Sequence, residues 1–264
     1  MGGGPGDRNV SFIVAVFKNR DTRDMERASK TSDLDSTSEI HVYRGGYKAP
    51  APIDMPGVPQ KGGTAYFVVK RVFDVVFSIC VCIVLALPVA VACAAICLET
   101  SGRPFFRQER VGQYGKPIYI FKLRTMVEDA HSHPEKYMSP GQLDTWRREQ
   151  KLDNDPRITQ VGRFLRRTSL DELPQFLNVL IGDLSVIGPR PVTLEETYEY
   201  GDARDEVLSC KPGITGWWAA TDRNDSNWES GQRQARELFY VRHQSFGLDA
   251  RVFVKTFKAM RKGR

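Results

Sequence analysis

The stretch "VVFSICVCIVLALPVAVACAAICL" occupies residues 75–98 and contains no Asp, Glu, Lys or Arg. About 20 apolar residues are enough to cross the hydrocarbon core of a bilayer as a helix. A buried helix of a soluble domain is the alternative, but such a helix is rarely apolar on every face over this length. The stretch therefore predicts a helix inserted into a membrane, and the rest of the chain is interpreted outward from it.

Cationic residues flank this stretch on both sides, and cationic flanks are retained on the cytoplasmic side of a membrane. They are Lys61, Lys70 and Arg71 before it and Arg103, Arg107, Arg110 and Lys116 after it. Pro88 lies near the middle, where it removes a helical hydrogen bond and bends the helix. Both features favour a re-entrant helix that enters and leaves the membrane on the cytoplasmic side, and a straight span stays open.

Four segments are predicted along the chain. They are a weakly ordered extension at residues 1–44, a Pro/Gly-rich linker at 45–63, the membrane helix at 64–100 and a cytosolic domain at 101–264. No small-residue cleavage site follows the apolar run Val10–Phe17, so a secretory signal is not expected. The predicted fold class is α+β and mostly helical, in a monotopic membrane protein.

Two further elements are predicted inside the cytosolic domain. Strand-like runs on either side of Gly112–Gly115 predict a small β-hairpin. Residues 248–262 combine an apolar side with a cationic remainder and predict an amphipathic helix. That helix either lies at the membrane interface or packs on the core.

The charge is unevenly distributed. The formal net charge is +6, and residues 1–60 hold equal numbers of cationic and anionic side chains, so the excess belongs to the remainder. Such a surface suits nucleic acid, anionic lipid or phosphorylated substrates. The 5 cysteines show no zinc-ligand spacing, and a reduced, cytosol-facing protein is the simplest account of them.

An acidic pair opens the stretch "SLDELPQFLNVLIGDLSVIGPRP" at residues 169–191. Ser169 and Glu172 have the spacing of a capping box, and acids suit the amino end of a helix. The alternative is that Asp171 and Glu172 form a reactive centre. These residues alone favour the capping interpretation.

Several cations occupy positions that are poor for a solvated charge. Lys122 and Arg124 interrupt a strand-like run, Arg190 stands between two prolines, and Arg166 precedes the acidic pair. Arginine's planar fork matches phosphate oxygens. With a membrane helix, an acidic pair and neither a P-loop nor a GxGxxG motif, the chain predicts phosphoryl transfer at a membrane surface. A divalent ion held by the acids would help to neutralise the phosphates.

Ordered motifs make the chain resemble a known family over residues 66–264. They are "KRVFD" (70–74), "FRQERVG" (106–112), "FKLRTM" (121–126), "DPRIT" (155–159), "LRRTSLDELPQ" (165–175), "GDLSVIGPRP" (182–191) and "KPGITGW" (211–217). The set is similar to that of the bacterial sugar transferases, the monotopic polyprenyl-phosphate phosphoglycosyl transferases. The short chain looks like the exopolysaccharide-type enzymes that transfer galactose or glucose phosphate.

The resemblance implies a two-step transfer. Asp171 attacks the β-phosphorus of a UDP-sugar, UMP leaves, and the phosphosugar passes from Asp171 to polyprenyl (undecaprenyl) phosphate. Asp171 and Glu172 are the expected catalytic residues and Mg²⁺ ligands. Phosphate or substrate contacts are expected from Lys122, Arg124, Arg166, Arg190 and Arg223. The expected location is the bacterial inner membrane, with the catalytic domain on the cytoplasmic face, no nucleic-acid partner, and self-association left open.

Three positions depart from the family pattern. Leu87 replaces a serine before the helix-breaking proline, Ala219 replaces a glutamine, and Asp222 replaces a glycine. The last two lie where nucleotide or sugar contacts would form. They motivate an alternative function, that of a catalytically inactive membrane-tethered scaffold or an anionic-lipid-binding protein.

Overall fold

The computed structural model describes residues 63–149, 152, 154–221 and 231–261. The predicted extension at 1–44 and the linker up to residue 62 lie outside the described residues. Arg223 and the departure at Asp222 also lie outside them.

The described residues are mostly helical, with two small sheets. The helices are α1 (Thr64–Glu99), α2 (Pro140–Glu149), α3 (Gln160–Thr168), α4 (Gln175–Ile181), α5 (Leu194–Tyr198), α6 (Arg204–Leu208), α7 (Trp217–Thr221), α8 (Gln232–Arg242) and α9 (Phe246–Arg261). The strands are β1 (Phe105–Val111), β2 (Pro117–Leu123), β3 (Ser185–Ile187) and β4 (Gly213–Thr215). This composition confirms the predicted mixture of many helices and a little sheet.

Strands β1 and β2 form the predicted hairpin. They pair antiparallel, with Phe106 opposite Lys122 and Arg110 opposite Ile118. Between them the backbone of Tyr114 has a φ of 58°. The second sheet is parallel and joins β3 to β4, with Ser185 opposite Gly213.

Helix α1 is one continuous element that contains the whole charge-free stretch and Pro88. Its central side chains are exposed: Ile83, Val84 and Leu87 are 71%, 72% and 74% accessible. In the described part of the chain it is long and apolar enough to cross a membrane, judged by length and composition alone. Exposed apolar surface of this extent is typical of contact with lipid or another protein.

The amino-terminal part of α1 is fastened to the domain by the residues of the "KRVFD" motif. Asp74 is buried and accepts a hydrogen bond from the backbone N–H of Val186 at 2.9 Å. Arg71 donates to the carbonyls of Val179 at 2.6 Å and Leu180 at 3.0 Å, in the last turn of α4. A guanidinium there satisfies carbonyls that a helix end leaves without partners and complements its dipole.

A second set of contacts joins α1 to the carboxyl-terminal helices. Lys70 Nζ lies 2.8 Å from Asp249 Oδ2, and both side chains are nearly buried. The hydroxyls of Tyr66 and Tyr240 donate to the same carboxylate at 2.9 and 2.7 Å. Since a buried charge is costly without partners, this network fixes the start of α1 against α8 and α9.

The carboxyl-terminal part of α1 also packs on the domain. Ala92 and Ile96 are buried with Leu123 of β2 and Leu165 of α3. The guanidinium of Arg124 donates to the carbonyls just after α1, those of Ser101 at 2.6 Å and Thr100 at 3.2 Å. Both ends of α1 therefore contact the described domain, while its middle stays exposed.

Helix α9 packs on the core and also exposes apolar side chains. Leu248 and Val252 are buried in the main core cluster with Val179 of α4 and Tyr240 of α8. Val254 and Phe257 are 53% and 49% exposed. One face of this amphipathic helix therefore packs on the core, as one alternative predicted, and an interfacial role of the exposed face stays a prediction.

Candidate active site

Asp171 and Glu172 lie in a 3₁₀ turn, Leu170–Glu172, between α3 and α4. Ser169 precedes them with a φ of 56°, in the left-handed region, and its N–H donates to carbonyls in the last turn of α3. Its side chain makes no capping hydrogen bond to the following turn. The capping-box interpretation is therefore wrong, because the backbone carbonyl of Ser169, and not its side chain, accepts the N–H of Glu172, at 3.3 Å.

Lys122 of β2 reaches this acidic pair from the hairpin. Its Nζ lies 3.3 Å from Oε1 of Glu172, and the two side chains are 19% and 28% exposed. Burial lowers the pKa of Lys122, the charges of Glu172 and Asp171 oppose that change, and the nearby Arg190 and Arg110 reinforce it. An anion that binds beside Lys122 would therefore stabilise the charged form of this lysine.

The environment of Asp171 contains both a like charge and opposite charges. Burial raises the pKa of Asp171, and the neighbouring charge of Glu172 raises it further. Lys122 and Arg166 act in the opposite direction. The arrangement therefore concentrates charge in a partly water-excluded place, which is common where catalysis occurs.

Close packing of α3 brings Arg166 to this place. Its Nε donates to Oγ1 of Thr125, just after β2, at 2.9 Å. A Cβ at Gly162 would lie 2.0 Å from the carbonyl oxygen of Thr125. Only glycine permits this approach, so Gly162 determines how closely α3, and with it Arg166, lies to the end of β2.

Arg190 lies in the segment Pro189–Pro191 after β3. Its backbone N–H donates to Oε1 of Glu237 at 3.2 Å, and its guanidinium carbon is 5.8 Å from the ring centroid of Trp218. The preceding Gly188 makes the turn possible, because a Cβ at that position would lie 2.4 Å from a carbonyl oxygen of the loop before β4. The loops "IGPRP" and "KPGITGW" thus pack directly against each other.

The structure brings five of the predicted site residues together. They are Asp171, Glu172, Lys122, Arg166 and Arg190. It does not bring Arg124 to them, since that guanidinium is buried and bonded to carbonyls after α1. Arg223 lies outside the described residues.

Two residues near this site were not among those selected from the sequence. Arg110 lies near Lys122 on the same face of the hairpin. Phe106 pairs with Lys122, and Arg110 follows Phe106 by four residues in β1, so the alternation of the strand predicts that both side chains lie on one face. Glu237 approaches Arg190 from α8, far along the chain. A single glutamate in an ordinary helical pattern gives no sequence signal of that contact.

Residues 65–263 match the model of the family described as bacterial sugar transferase. The match covers most of the chain, and it includes the acidic pair and every cation of the site. This chain belongs to the bacterial sugar transferase family.

Named relatives are similar over most of the chain. The undecaprenyl-phosphate galactose phosphotransferase of Salmonella typhimurium is 38% identical over 193 residues, which are 72% of this chain and 40% of that protein. The exopolysaccharide production protein ExoY of Rhizobium meliloti is 35% identical over 211 residues, 79% of this chain and 91% of ExoY. The UDP-glucose:undecaprenyl-phosphate glucose-1-phosphate transferase of Escherichia coli is 36% identical over 72% of this chain and 39% of its own length.

Some curated relatives are therefore much longer than the region they share with this chain. The chain spans about two fifths of the Salmonella and Escherichia proteins and about nine tenths of ExoY. The shared region is the part that contains the acidic pair.

The donor groups of the site suit a magnesium ion that is shared with a substrate. No cluster of three or more His, Cys, Asp or Glu side chains able to hold a metal occurs in the described residues. Asp171 and Glu172 supply two adjacent carboxylates, and the charge of Glu172 raises the pKa of Asp171, which a bound cation would oppose. Mg²⁺ is commonly held by one or two carboxylates together with water and substrate phosphates. The residues therefore fit such an ion.

Proposed function

We propose that this chain transfers a phosphosugar from a UDP-sugar to polyprenyl phosphate and releases UMP. This would be the initiating step of exopolysaccharide or glycoconjugate synthesis. The observation that carries the proposal is the partly buried Asp171–Glu172 pair, with Lys122 and Arg166 beside it. The names of the Salmonella and Escherichia relatives support transfer of a sugar phosphate to undecaprenyl phosphate, with galactose and glucose as the first sugars to test.

In this proposal the transfer takes place in two displacement steps, both at Asp171. A carboxylate oxygen attacks the β-phosphorus, the bond from that phosphorus to the bridging oxygen breaks, and UMP leaves with the electron pair. An oxygen of polyprenyl phosphate then attacks the same phosphorus, the bond to Asp171 breaks, and the carboxylate is regenerated. A carboxylate suits this role because it needs no separate base when it is ionised.

The cations of the site would stabilise both the ionised carboxylate of Asp171 and the phosphates of the donor. Burial and Glu172 raise the pKa of Asp171, whereas Lys122 and Arg166 oppose that rise. The same cations, with Arg190, would bind phosphate oxygens of the donor and stabilise the charge that develops on UMP. The negative charges of carboxylate and diphosphate would otherwise repel each other.

Asp171 and Glu172 are the residues that would hold Mg²⁺. When bound, the ion supplies positive charge to the diphosphate. Glu172, whose carboxylate lies 3.3 Å from Lys122, would keep both the ion and that lysine in place without forming a bond to phosphorus.

The lipid acceptor requires that the site face a membrane surface. Both ends of α1 pack on the domain that carries Asp171, and the exposed middle of α1 is apolar. These contacts support a re-entrant helix, with the catalytic domain on the cytoplasmic side of the inner membrane. Cationic flanks at both ends of α1 point to the same topology.

An assay of UMP release tests the proposal. The purified full-length protein in detergent receives Mg²⁺, undecaprenyl phosphate and one member of a UDP-sugar panel. We expect UMP and a polyprenyl-diphosphosugar with one preferred sugar. Without the lipid, intact-protein mass spectrometry should find the mass of one phosphosugar on a peptide containing Asp171.

The outcomes separate this function from its alternatives. Failure of every UDP-sugar to give UMP or an adduct overturns the proposed transfer. Vesicle binding without turnover would then support the lipid-binding or scaffold function that Ala219 and Asp222 motivate. An adduct on another residue would retain the transfer and overturn the role of Asp171.

A further inference from the structure

Glu237 is a buried carboxyl group that the two-step transfer does not use. It lies on α8, it is 1% exposed, and its Oε1 accepts the backbone N–H of Arg190 at 3.2 Å. Its Oε2 is buried without a hydrogen-bond partner in the described residues. Burying a carboxyl group with one unsatisfied oxygen lowers the stability of the fold, so we expect Glu237 to have a role that explains this cost.

The residue that Glu237 binds is unusual in its backbone. Proline has no N–H, so the N–H of Arg190 is the only backbone donor in Pro189-Arg190-Pro191. The hydrogen bond from this N–H to Glu237 therefore attaches the backbone of the segment to α8. Gly216 lies at the same junction, because a Cβ there would lie 2.2 Å from the carbonyl oxygen of Gly188 and 3.9 Å from Oε2 of Glu237.

Charged and aromatic groups surround this contact. Arg233, one turn earlier on α8, lies with its guanidinium carbon 4.4 Å from the ring centroid of Trp218, and Arg190 lies 5.8 Å from the same centroid. The titratable and charged groups that face Glu237 are Arg190, Arg233 of α8, Tyr200 after α5 and Cys210 after α6.

These surroundings affect the proton of Glu237. Burial raises its pKa to about 7, while the N–H of Arg190 and the charge of Arg233 act against that rise. The group therefore changes charge within the physiological range. An ionised acceptor makes a stronger hydrogen bond than a neutral one, so ionisation should tighten the contact with Arg190.

We propose that Glu237 is a positioning residue, which fixes the segment Pro189–Pro191 and thereby directs Arg190 at the diphosphate of the sugar-nucleotide donor. This inference rests on the proposed function. Glu237 itself does not touch the donor; it acts through the backbone of Arg190.

The Glu237→Gln variant tests the role, because glutamine keeps the shape and an acceptor oxygen but cannot ionise. We expect its KM for the UDP-sugar to be about fivefold above wild type at pH 8, the loss expected when a hydrogen bond to a charged acceptor becomes a neutral one. At pH 6 the two KM values should nearly agree. Because Arg190 also stabilises the charge that develops on UMP, kcat of the variant should be below wild type at pH 8 and nearly equal to it at pH 6. The matched control is Glu199→Gln, an exposed glutamate, which should change neither constant.

A double-mutant cycle shows whether the effect passes through Arg190. Binding of UDP, measured by calorimetry on the full-length protein, should weaken in Glu237→Gln but not weaken further when that change is added to Arg190→Ala. Additive effects would overturn the inference. A KM ratio independent of pH, or a change in melting temperature without a change in KM, would also overturn it in favour of a purely structural role.

The same measurements separate the two proposals. Wild-type turnover with an unaffected Glu237→Gln variant overturns only the positioning role. Absence of turnover and of UDP binding in the wild type overturns the proposed function and this inference together.

Discussion

The side chain of Asp171 experiences opposing influences from its neighbours. Glu172 and burial favour its protonated form, whereas Lys122 and Arg166 favour its ionised form. Asp171→Asn removes the proposed nucleophile and keeps the shape of the side chain. We therefore expect UMP release and the covalent adduct to be abolished, with a melting temperature close to that of wild type.

Glu172→Gln is the matched comparison at the adjacent position. It weakens the attraction to Lys122 at 3.3 Å but leaves the carboxylate of Asp171, the proposed nucleophile, in place. We expect reduced, measurable transfer and retention of the adduct. Equal activity of Asp171→Asn and wild type would show that the acidic pair has no covalent role.

The buried proton of Glu237 has a second, measurable consequence, for stability. Its pKa rises from the usual 4.5 to about 7 in the folded chain. Because the folded state binds this proton more tightly than the unfolded state, the contribution to stability is fully present below pH 4.5 and is lost as the pH rises through 7. Between those limits Glu237→Gln should gain up to about 3 kcal/mol relative to wild type.

Chemical unfolding of wild type and Glu237→Gln at pH 5 and pH 8 measures this difference. The exposed Glu199→Gln control should show the same stability difference from wild type at both pH values. A constant difference for Glu237→Gln as well would mean that its carboxyl titrates normally in the folded chain.

At the scale of elements, the contact between α3 and the end of β2 depends on one glycine. A Cβ at Gly162 would lie 2.0 Å from the carbonyl oxygen of Thr125, a backbone atom that cannot move aside alone. Gly162→Ala should therefore displace α3, shift Arg166 away from Asp171, and destabilise the fold by about 1–3 kcal/mol, as overpacking does.

Gly141 of α2 offers a matched control for this substitution. It is an exposed helical glycine with no atom within 4 Å of an added Cβ. Gly141→Ala should stabilise the chain by about 0.5–1 kcal/mol through reduced backbone entropy. Melting temperatures and UMP release of both variants check the pair; an active, stable Gly162→Ala variant would contradict the close packing.

Local patterns in the sequence predicted most of these elements. The hairpin at Gly112–Gly115 followed from turn residues between strand-like runs, and the apolar stretch at 75–98 followed from its lack of charge. The helix begins at Thr64, within the predicted segment 64–100, and Lys70, Arg71 and Asp74 inside it bind partners on the domain. Those partners are distant in sequence and leave no local pattern.

Two residues show why the site was only partly predictable. Arg124 has the same local surroundings in sequence as Lys122, yet it points to carbonyls after α1 while Lys122 points to Glu172. Two residues of one strand that are two apart share a face, so alternation predicts that Lys122 and Arg124 point the same way. Strand β2 ends at Leu123, and Arg124 therefore lies outside that alternation. Ser169 has the spacing of a cap, and the left-handed backbone that gives it another role depends on how α3 packs.

At the scale of the whole molecule, the topology of α1 determines whether the site can receive the proposed lipid acceptor. The Lys70–Asp249 contact at one end and the Arg124–Ser101 contact at the other attach α1 to the described domain. A straight span would place these two ends on opposite sides of the membrane and break one set of contacts. A re-entrant helix keeps both sets of contacts, so the polar contacts at the two ends of α1 depend on its topology.

Thiol labelling of cells tests this link. Single cysteines replace Gly63 and Lys116, both exposed, in a background where the four cysteines of α1 become alanine and the buried Cys210 is retained. A membrane-impermeant maleimide should label neither position in intact cells and both after permeabilisation, with a periplasmic marker thiol as the control. Labelling of one position alone in intact cells would show a straight span.

Pro88→Ala restores a helical hydrogen bond and removes a bend, so we expect part of the Gly63→Cys population to become accessible from outside in that variant, with UMP release reduced to the same extent.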